Sequence, residues 1–294
     1  MDKPLIVVTN DDGIEARGLW AAAEALLPLG ELLVAAPDRQ WSGGGRSMPP
    51  DVTGCITPLE RTVAGQSVRA YAVDASPALV VGHAVLELAA RRPSLVVSGI
   101  NFGANLGTEV TISGTVGAAL EAGAFGIPAL AVSLEMDPRY HLTGDENADY
   151  TAAMAFTQQL TRYLLNYGLP QDVDALSLNI PADATPRTPW RLTRQARSRY
   201  YLPLAPDRQA GQSRPGYRAL EHVRHLGHDT DIWALKQDRV VTITPLSLDL
   251  TSRVDLAVNA CLCADLGACL QSSTISIPTP AAPVRRPRRE LSLM

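Results

Sequence analysis

The sequence predicts an α/β fold built on a doubly wound, mostly parallel sheet. Short apolar runs rich in β-branched residues, the first at 5–9, alternate with longer Ala- and Leu-rich segments such as 18–27. Such runs are typical of strands buried on both faces, and strands that alternate with helices form right-handed βαβ units. The chain has 294 residues, of which 46% are hydrophobic, which is enough for one large domain with a sizeable core.

Local sequence signals set the ends of these elements. Pro37 stops the second strand, and Ser76 and Pro77 suit the N-cap and first turn of a helix that runs to about Arg91. Gly123 closes a later helix. Strands are predicted at 5–9, 32–36, 52–58, 67–73, 95–98 and 129–133, the third and fourth forming a hairpin that projects from the sheet, and helices at 18–27, 76–91, 116–122 and 149–167.

The pattern is less regular beyond the first 185 residues. Residues 190–227 are rich in Arg, Pro and Tyr and give no clear assignment, whereas 239–244 is typical of a strand and 256–270 of a helix. The last stretch, 272–294, carries many Pro and Arg residues and is predicted to be a flexible tail or an arm on a partner subunit. The α/β core is therefore predicted to occupy residues 1–185.

Composition argues against several classes of function. Only 19% of the residues are charged and the net charge is -4, whereas a protein that binds nucleic-acid polymers normally has a basic surface. The four cysteines lack the spacing of a zinc framework and are expected to be free thiols of a reducing compartment. No long apolar segment and no secretory leader is recognisable, so we expect a cytoplasmic protein that does not enter a membrane.

Oxygen-bearing side chains follow the ends of separate predicted strands. Asp11 and Asp12 come directly after the first strand. Ser42 lies a few residues after the second strand, and Asn101 follows the strand at 95–98. Such positions meet at one edge of an open parallel sheet, and carboxylate, hydroxyl and amide oxygens suit Mg²⁺ or Mn²⁺. We therefore predict a metal site, although an isolated Asp-Asp-Gly sequence is also compatible with a simple turn.

A phosphate site is predicted beside the metal site. Ser113, Gly114 and Thr115 precede a helix, and the free amides and positive dipole end of a helix N-terminus suit an anion. An ordinary helix cap is the alternative explanation for these residues. Metal and phosphate sites together indicate hydrolysis of a phosphate ester, with Asp11 as a metal ligand and Asp12 orienting or deprotonating the attacking water.

Other classes of phosphate- or nucleotide-binding enzyme lack their motifs here. The sequence has no G-x-x-x-x-G-K-[ST] motif, which disfavours a P-loop NTPase. It has no G-x-G-x-x-G motif after the first strand, which disfavours a nicotinamide dehydrogenase. An aspartyl-phosphate phosphatase would carry a second Asp two residues after its nucleophile, and Gly13 stands at that position.

Four motifs together resemble one known family. They are T-N-D-D-G-I at 9–14, A-P-D-R-x-x-S-G at 36–43, S-G-I-N-x-G-x-N-x-G at 98–107 and S-G-T-V-G-A-A at 113–119. Their order and content are similar to those of the SurE survival-protein nucleotidases, and the resemblance extends over about residues 4–255. It implies a Rossmann-like core and metal-dependent hydrolysis of nucleoside monophosphates, and in some members of 3′-nucleotides or short polyphosphate.

The resemblance also implies a set of site residues and an assembly. One divalent cation, Mg²⁺ or Mn²⁺, is expected at Asp11, Asp12, Ser42 and Asn101, and the catalytic residues are expected to be Asp11, Asp12 and Ser113. Substrate phosphate is expected at Asn10, Gly43, Asn105, Ser113, Gly114 and Thr115. Family members form dimers or tetramers by exchanging C-terminal elements, which implies a homodimer or homotetramer with residues 186–271 as the exchanged region.

Two departures from the family pattern leave alternatives open. Leu79 stands where the family usually has Asp, and Glu109 stands where Asp is frequent. A nucleotide- or metal-sensing protein without catalytic activity is one alternative to a nucleotidase. A phosphatase that acts mainly on another small ester or on polyphosphate is the other.

Overall fold

A nine-stranded sheet forms the centre of the part of the chain described by this computed structural model, namely residues 3–138, 141, 148–209, 211, 213 and 215–253. The strands are β1 (Leu5–Thr9), β2 (Glu31–Pro37), β3 (Ile56–Val63), β4 (Gln66–Val73), β5 (Leu95–Phe102), β6 (Ala129–Leu134), β7 (Ala175–Ile180), β8 (Trp190–Leu192), β9 (Tyr201–Leu204), β10 (Gly216–Ala219) and β11 (Val241–Leu246). The helices are α1 (Arg17–Leu26), α2 (Pro77–His83, continued by a π-helical turn at Ala84–Leu88), α3 (Gly114–Ala124, preceded by a 3-10 turn at Thr108–Thr111), α4 (Thr151–Tyr167) and α5 (Asp231–Lys236).

The order of the strands in the sheet is β3-β4-β2-β1-β5-β6-β7-β11-β8. The pairs β3–β4 and β7–β11 are antiparallel, and the other neighbours are parallel. This arrangement confirms the predicted fold class. The chain passes from β1 to β2 on one side and later to β5 on the other, so the carboxyl end of β1 lies where the winding direction reverses, which is the usual position of a ligand site.

Helices cover both faces of the sheet. Ile6 and Val8 of β1 pack with α1 and α4 in one apolar layer, whereas Leu5 and Val7 pack with α2 and α3 in the other. The alternation follows from the two-residue period of a strand, and it explains why the whole of β1 is apolar. Burial on both faces fixes the position of the residues that follow the strand.

The predicted hairpin is part of the main sheet, which corrects the expectation that it projects from it. β4 pairs with β2 from Ala70 to Val73, and β3 forms the outer edge. β2 pairs with only half of β4, so only the half of the hairpin that contains its turn extends beyond β2.

The fifth strand is longer than predicted. The sequence indicated an end at Ser98, but β5 continues to Phe102 with a shift in its register against β6 between Ser98 and Asn101. Gly99 permits this shift because it has φ +132° and because a Cβ there would lie 2.3 Å from the carbonyl oxygen of Val132. Asn101 therefore lies within an irregular strand end and not in a loop.

The irregular segment after β7 contributes to two sheets. β8 and β11 extend the main sheet, and β9 and β10 form a two-stranded antiparallel sheet. Tyr200, Leu220 and Ile232 build a third apolar cluster with Ala104 and Leu106 of the loop after β5. The chain up to Asp249 forms one compact unit, and its division into a 1–185 core and a 186–271 exchanged region stays a prediction.

Two sequence predictions lie outside the described residues, namely the helix at 256–270 and the tail at 272–294. Within the residues that are described, no helix is both long and apolar enough to cross a membrane.

Candidate active site

The turn after β1 places two carboxylates side by side at the edge of the sheet. The side-chain amide of Asn10 donates to the carbonyl of Gly13 at 2.9 Å, and Gly13 has φ +98°. That conformation favours glycine, and a Cβ would also lie 3.2 Å from the backbone of Arg39. Asn10 and Gly13 therefore shape the turn that carries Asp11 and Asp12.

Asp11 is held against the N-terminal end of α3. It is buried, its Oδ1 accepts a 2.5 Å hydrogen bond from the Thr115 hydroxyl, and its backbone carbonyl accepts from the Trp41 amide at 2.7 Å. A Cβ on Gly114 would lie 2.6 Å from the Cβ of Asp11, so glycine allows this close approach. The carboxylate thus lies at the positive end of the helix.

Asp12 is bound to the end of β5 instead. Its Oδ2 accepts from the backbone amide of Phe102 at 3.0 Å, and its Oδ1 accepts from the side chain of Gln40 at 3.3 Å. Because Phe102 directly follows Asn101, this hydrogen bond brings the end of β5 to the carboxylate pair. The two Asp residues therefore connect β1, α3 and β5 at one place.

The charges of this pair are not balanced by the surrounding protein. Burial, and secondly the charge of Asp12, raises the pKa of Asp11 to about 7 despite the hydrogen bond from Thr115. Burial also raises the pKa of Asp12. Among the described residues, no Lys, Arg or His forms an ion pair with either carboxylate. A divalent cation would remove this electrostatic cost.

Ser42 and Asn101 supply further oxygen donors near the two carboxylates. The side-chain nitrogen of Asn101 donates to the carbonyl of Gly103 at 2.7 Å, which leaves the side-chain oxygen available to a cation. Ser42 is exposed and directly follows Trp41, whose amide is bonded to Asp11. Two carboxylates, a hydroxyl and an amide oxygen are the hard donors that Mg²⁺ and Mn²⁺ prefer, so the residues present fit a divalent cation.

A cleft of about 500 Å³ brings most of the predicted site residues together. Its walls include Asp11, Ser42, Gly43, Asn101, Asn105 and Ser113, whereas Asn10, Asp12, Gly114 and Thr115 do not line it. Asn10 and Thr115 are fully buried, and the contacts described for their side chains are with Gly13 and Asp11. The structure therefore places these two residues behind the cleft, and their role in phosphate binding stays a prediction.

The first turn of α3 is partly used by the protein itself. The hydroxyl of Ser113 accepts from the Val116 amide at 3.1 Å, as an N-cap does, and the Thr115 hydroxyl donates to Asp11. The Asp11 carboxylate thus already binds a hydrogen-bond donor at the start of α3, and this donor is not available to another anion. What remains for a phosphate is the Ser113 side of this turn, which faces the cleft.

Asn105 is fixed in the wall of the cleft by neighbouring strands. Its side-chain nitrogen donates to the Ser133 hydroxyl at 2.9 Å. Its backbone amide donates to the side chain of Asn179 at 2.7 Å, and Asn179 in turn donates to the Asn105 carbonyl at 3.0 Å. These contacts hold Asn105 in one orientation beside the predicted ligands.

The outer wall of the cleft is aromatic. The ring centroid of His141 lies 5.5 Å from that of Tyr201 and 5.8 Å from that of Tyr217, and Phe102 lies on the same wall. Tyr200 is buried elsewhere and donates its hydroxyl to Glu135 at 3.0 Å. The wall offers flat apolar surfaces beside the oxygen ligands.

Besides Phe102 and His141 of the aromatic wall, two polar residues of this site were missed by the sequence predictions. Gln40 occupies a variable position of the A-P-D-R-x-x-S-G motif, although it donates to Asp12. Arg199 lines the cleft from the segment 190–227, to which no element could be assigned from the sequence. Neither residue carries a local signal, because each reaches the site through the course of the backbone.

Comparisons with known proteins support this picture. A family model described as "Survival protein SurE" matches residues 6–201. The chain belongs to the SurE family. All four predicted metal ligands and the start of α3 lie inside the matched region.

Individual relatives of this SurE chain carry a more specific name. A 5′-nucleotidase SurE from Thermococcus gammatolerans is 41% identical over 257 residues, which covers 85% of this chain and 92% of the relative. A 5′-nucleotidase SurE from Methanosarcina barkeri is 37% identical over 267 residues, with 86% and 96% covered. The crystal structure of the SurE protein from Aquifex aeolicus is 32% identical, has a TM-score of 0.67, and matches over 88% of this chain and 100% of that chain.

Proposed function

We propose that this SurE protein is a metal-dependent 5′-nucleotidase that hydrolyses nucleoside monophosphates to nucleoside and inorganic phosphate. The observation that carries the proposal is the unneutralised pair of buried Asp11 and half-buried Asp12, beside a cleft lined by Ser42, Asn101 and Ser113. A cation at this pair, next to the end of a helix, suits a phosphate ester. The relatives named 5′-nucleotidase support the substrate class.

Different residues of the chain have different roles in such a reaction. Asp11, Asp12, Ser42 and Asn101 would hold the cation, which when bound polarises a phosphoryl oxygen and lowers the pKa of a water ligand. We propose that Oδ1 of Asp12, which accepts a long hydrogen bond from Gln40, orients the attacking water or accepts its proton. Ser113 and the start of α3 would stabilise the anionic phosphoryl group.

The aromatic wall gives the cleft a second recognition surface. Tyr201 and Tyr217 lie on this wall and are proposed to contact the nucleobase, while Asn105 and Gly43 contact the phosphate side of the substrate. A nucleoside monophosphate has an anionic end and a flat apolar end, so it matches a cleft that has oxygen ligands at one side and rings at the other.

The metal, the oligomeric state and the cellular location are proposed on separate grounds. We propose one Mg²⁺ or Mn²⁺ per subunit because the set of donors is complete for a single cation. A homodimer or homotetramer is proposed because β8 forms an edge of the sheet with Trp190 and Leu192 exposed by 59% and 63%, and such an edge favours association. A cytoplasmic location is proposed from the sequence, and Cys55 is exposed and has no disulfide partner among the described residues.

Phosphate release tests the proposed activity. The purified protein would be assayed on 5′-nucleotides, 3′-nucleotides, short polyphosphate and an aryl phosphate, with Mg²⁺, with Mn²⁺ and with chelator. We expect metal-dependent release with the highest kcat/KM on 5′-nucleotides. Release from the aryl phosphate or polyphosphate alone would identify a different phosphatase, and binding of nucleotide without release would identify a sensor.

Substitution of the carboxylates tests the site. Asp11→Asn and Asp12→Asn each remove a charge without changing shape, and we expect kcat to fall by at least about 100-fold because the cation loses a charged ligand. Asp51→Asn is the matched control, since Asp51 is exposed and lies outside the cleft. Full activity in both site variants would rule out the assignment.

A further inference from the structure

The cleft contains three carboxylate side chains at or near its walls but one permanent cation among the described residues. Asp11 and Glu109 line it, Asp12 is the next residue after Asp11, and Arg199 is the cation. One divalent ion offsets two of the three negative charges, and a phosphate monoester brings close to two more at neutral pH. Binding such a substrate therefore needs further positive charge in the cleft.

The backbone of Arg199 is fixed beside the phosphate side of the site. Residues Gly107 and Arg199 form an isolated antiparallel bridge, and the Thr108 amide donates to the carbonyl of Ser198 at 3.0 Å. The next residue, Tyr200, donates its amide to Oε2 of Glu109 at 2.7 Å. These contacts hold Arg199 against the segment that leads into Ser113 and α3.

The side chain of Arg199 forms a loose ion pair with Glu109 but no hydrogen bond with it. It is 59% exposed, and its nearest carboxylate oxygen, Oε1 of Glu109, is 3.8 Å away, which is too far for a hydrogen bond. That oxygen is buried and has no hydrogen-bond partner in the described part of the chain. The guanidinium is thus drawn towards the cleft by Glu109 while its N–H donors stay available.

We propose that Arg199 binds the phosphoryl oxygens of the substrate. This inference rests on the proposed nucleotidase function. A guanidinium has five N–H donors in a planar fork, so one edge contacts two phosphoryl oxygens while another faces Glu109. The contact supplies the positive charge that the other walls of the cleft lack.

The experiment compares Arg199→Ala and Arg199→Lys with the matched control Arg197→Ala, which removes an exposed arginine two residues away and outside the cleft. The measurements are kcat and KM on a nucleoside monophosphate, and calorimetric dissociation constants for Mn²⁺ and for inorganic phosphate on the Mn²⁺-loaded protein. We expect Arg199→Ala to weaken phosphate binding and to lower kcat/KM by about 10- to 100-fold, as for a lost charged hydrogen bond. Arg199→Lys should recover part of the loss, and Mn²⁺ affinity should not change.

Several results would overturn the inference. Phosphate affinity and kcat/KM of Arg199→Ala within twofold of Arg197→Ala would do so, as would a loss of Mn²⁺ affinity equal to the loss of activity. Should the wild-type protein hydrolyse no ester at all, the proposed function fails. The phosphate titration then still decides whether Arg199 binds the anion.

Discussion

Asp11 is the residue at which burial and charge conflict most strongly. Its side chain is enclosed by the start of α3 and by Asp12, and burial raises its pKa to about 7 although Thr115 donates a hydrogen bond to it. A protein maintains such a group when the charged form has a partner. A divalent cation is the partner that fits both carboxylates at once.

The raised pKa of Asp11 predicts how the stability of the metal-free protein depends on pH. The ordinary pKa is 3.8, so between about pH 4 and pH 7 the folded protein keeps a proton that the unfolded chain has released. The free energy of unfolding without metal should therefore be highest below that window and fall as the pH rises through it. Thermal unfolding in chelator at pH 5, 6, 7 and 8 measures this slope.

Asp11→Asn is the control for this dependence, since it cannot release a proton. Its melting temperature should fall less between pH 5 and pH 7 than that of the wild type. Equal slopes in the two proteins would show that Asp11 titrates normally and that its burial carries no electrostatic cost.

At the scale of elements, the contact between α3 and β1 sets the shape of the site. Gly114 begins α3, and a Cβ there would lie 2.6 Å from the Cβ of Asp11 and 2.8 Å from its Oδ2. Both distances are below ordinary contact, so Gly114→Ala must move Asp11 or the helix. We expect the variant to lose about 1–2 kcal/mol of unfolding free energy and to bind Mn²⁺ at least tenfold more weakly, as measured by urea unfolding and calorimetry.

Gly82→Ala provides the matched control at the element scale. Gly82 also lies in a helix, α2, but a Cβ there meets no atom within 4 Å. The higher helix propensity of Ala should leave this variant as stable as the wild type or up to about 1 kcal/mol more stable, with unchanged Mn²⁺ affinity. A Gly114→Ala variant that behaves like Gly82→Ala would contradict the close-approach argument.

The sequence predicted the elements that have a strong local pattern. The run at 5–9 is apolar on both faces and matches β1, and Ser76 caps α2 with its hydroxyl as its position before Pro77 indicated. The predicted end of the fifth strand was wrong because Gly99 was interpreted as a residue that ends a strand. In the structure, Gly99 instead accommodates a register shift within β5. A single glycine in a sequence does not show whether it ends a strand or allows a register shift inside one.

Long-range contacts explain why some features of the structure could not be predicted from local sequence patterns. Asp231 is buried, and its carboxylate accepts hydrogen bonds from the Gly107 and Ala196 amides, which ties α5 to the loop after β5. These partners lie 124 and 35 residues away, so no local period identifies them. Asp11, Asp12 and Asn101 were accessible from the sequence because they lie at or just after strand ends, and Ser42 because it belongs to a motif, whereas Gln40 and Arg199 depend on the path of a loop.

At the scale of the whole molecule, the site lies where the sheet reverses its winding. β2 and β5 flank β1 on opposite sides, so the segments that follow these three strands converge on the carboxyl end of β1. Asp11 and Ser42 follow β1 and β2, Asn101 lies at the end of β5, and all three line one cleft. The topology, and not any single motif, is what brings the four proposed ligands together.

The most direct test of this account is a crystal structure of the protein grown with Mn²⁺, with anomalous scattering measured at the manganese absorption edge. We expect one anomalous peak per chain, bonded to carboxylate oxygens of Asp11 and Asp12, the hydroxyl of Ser42 and the side-chain oxygen of Asn101. A peak at any other position, or no peak at this edge of the sheet in saturating Mn²⁺, would contradict it.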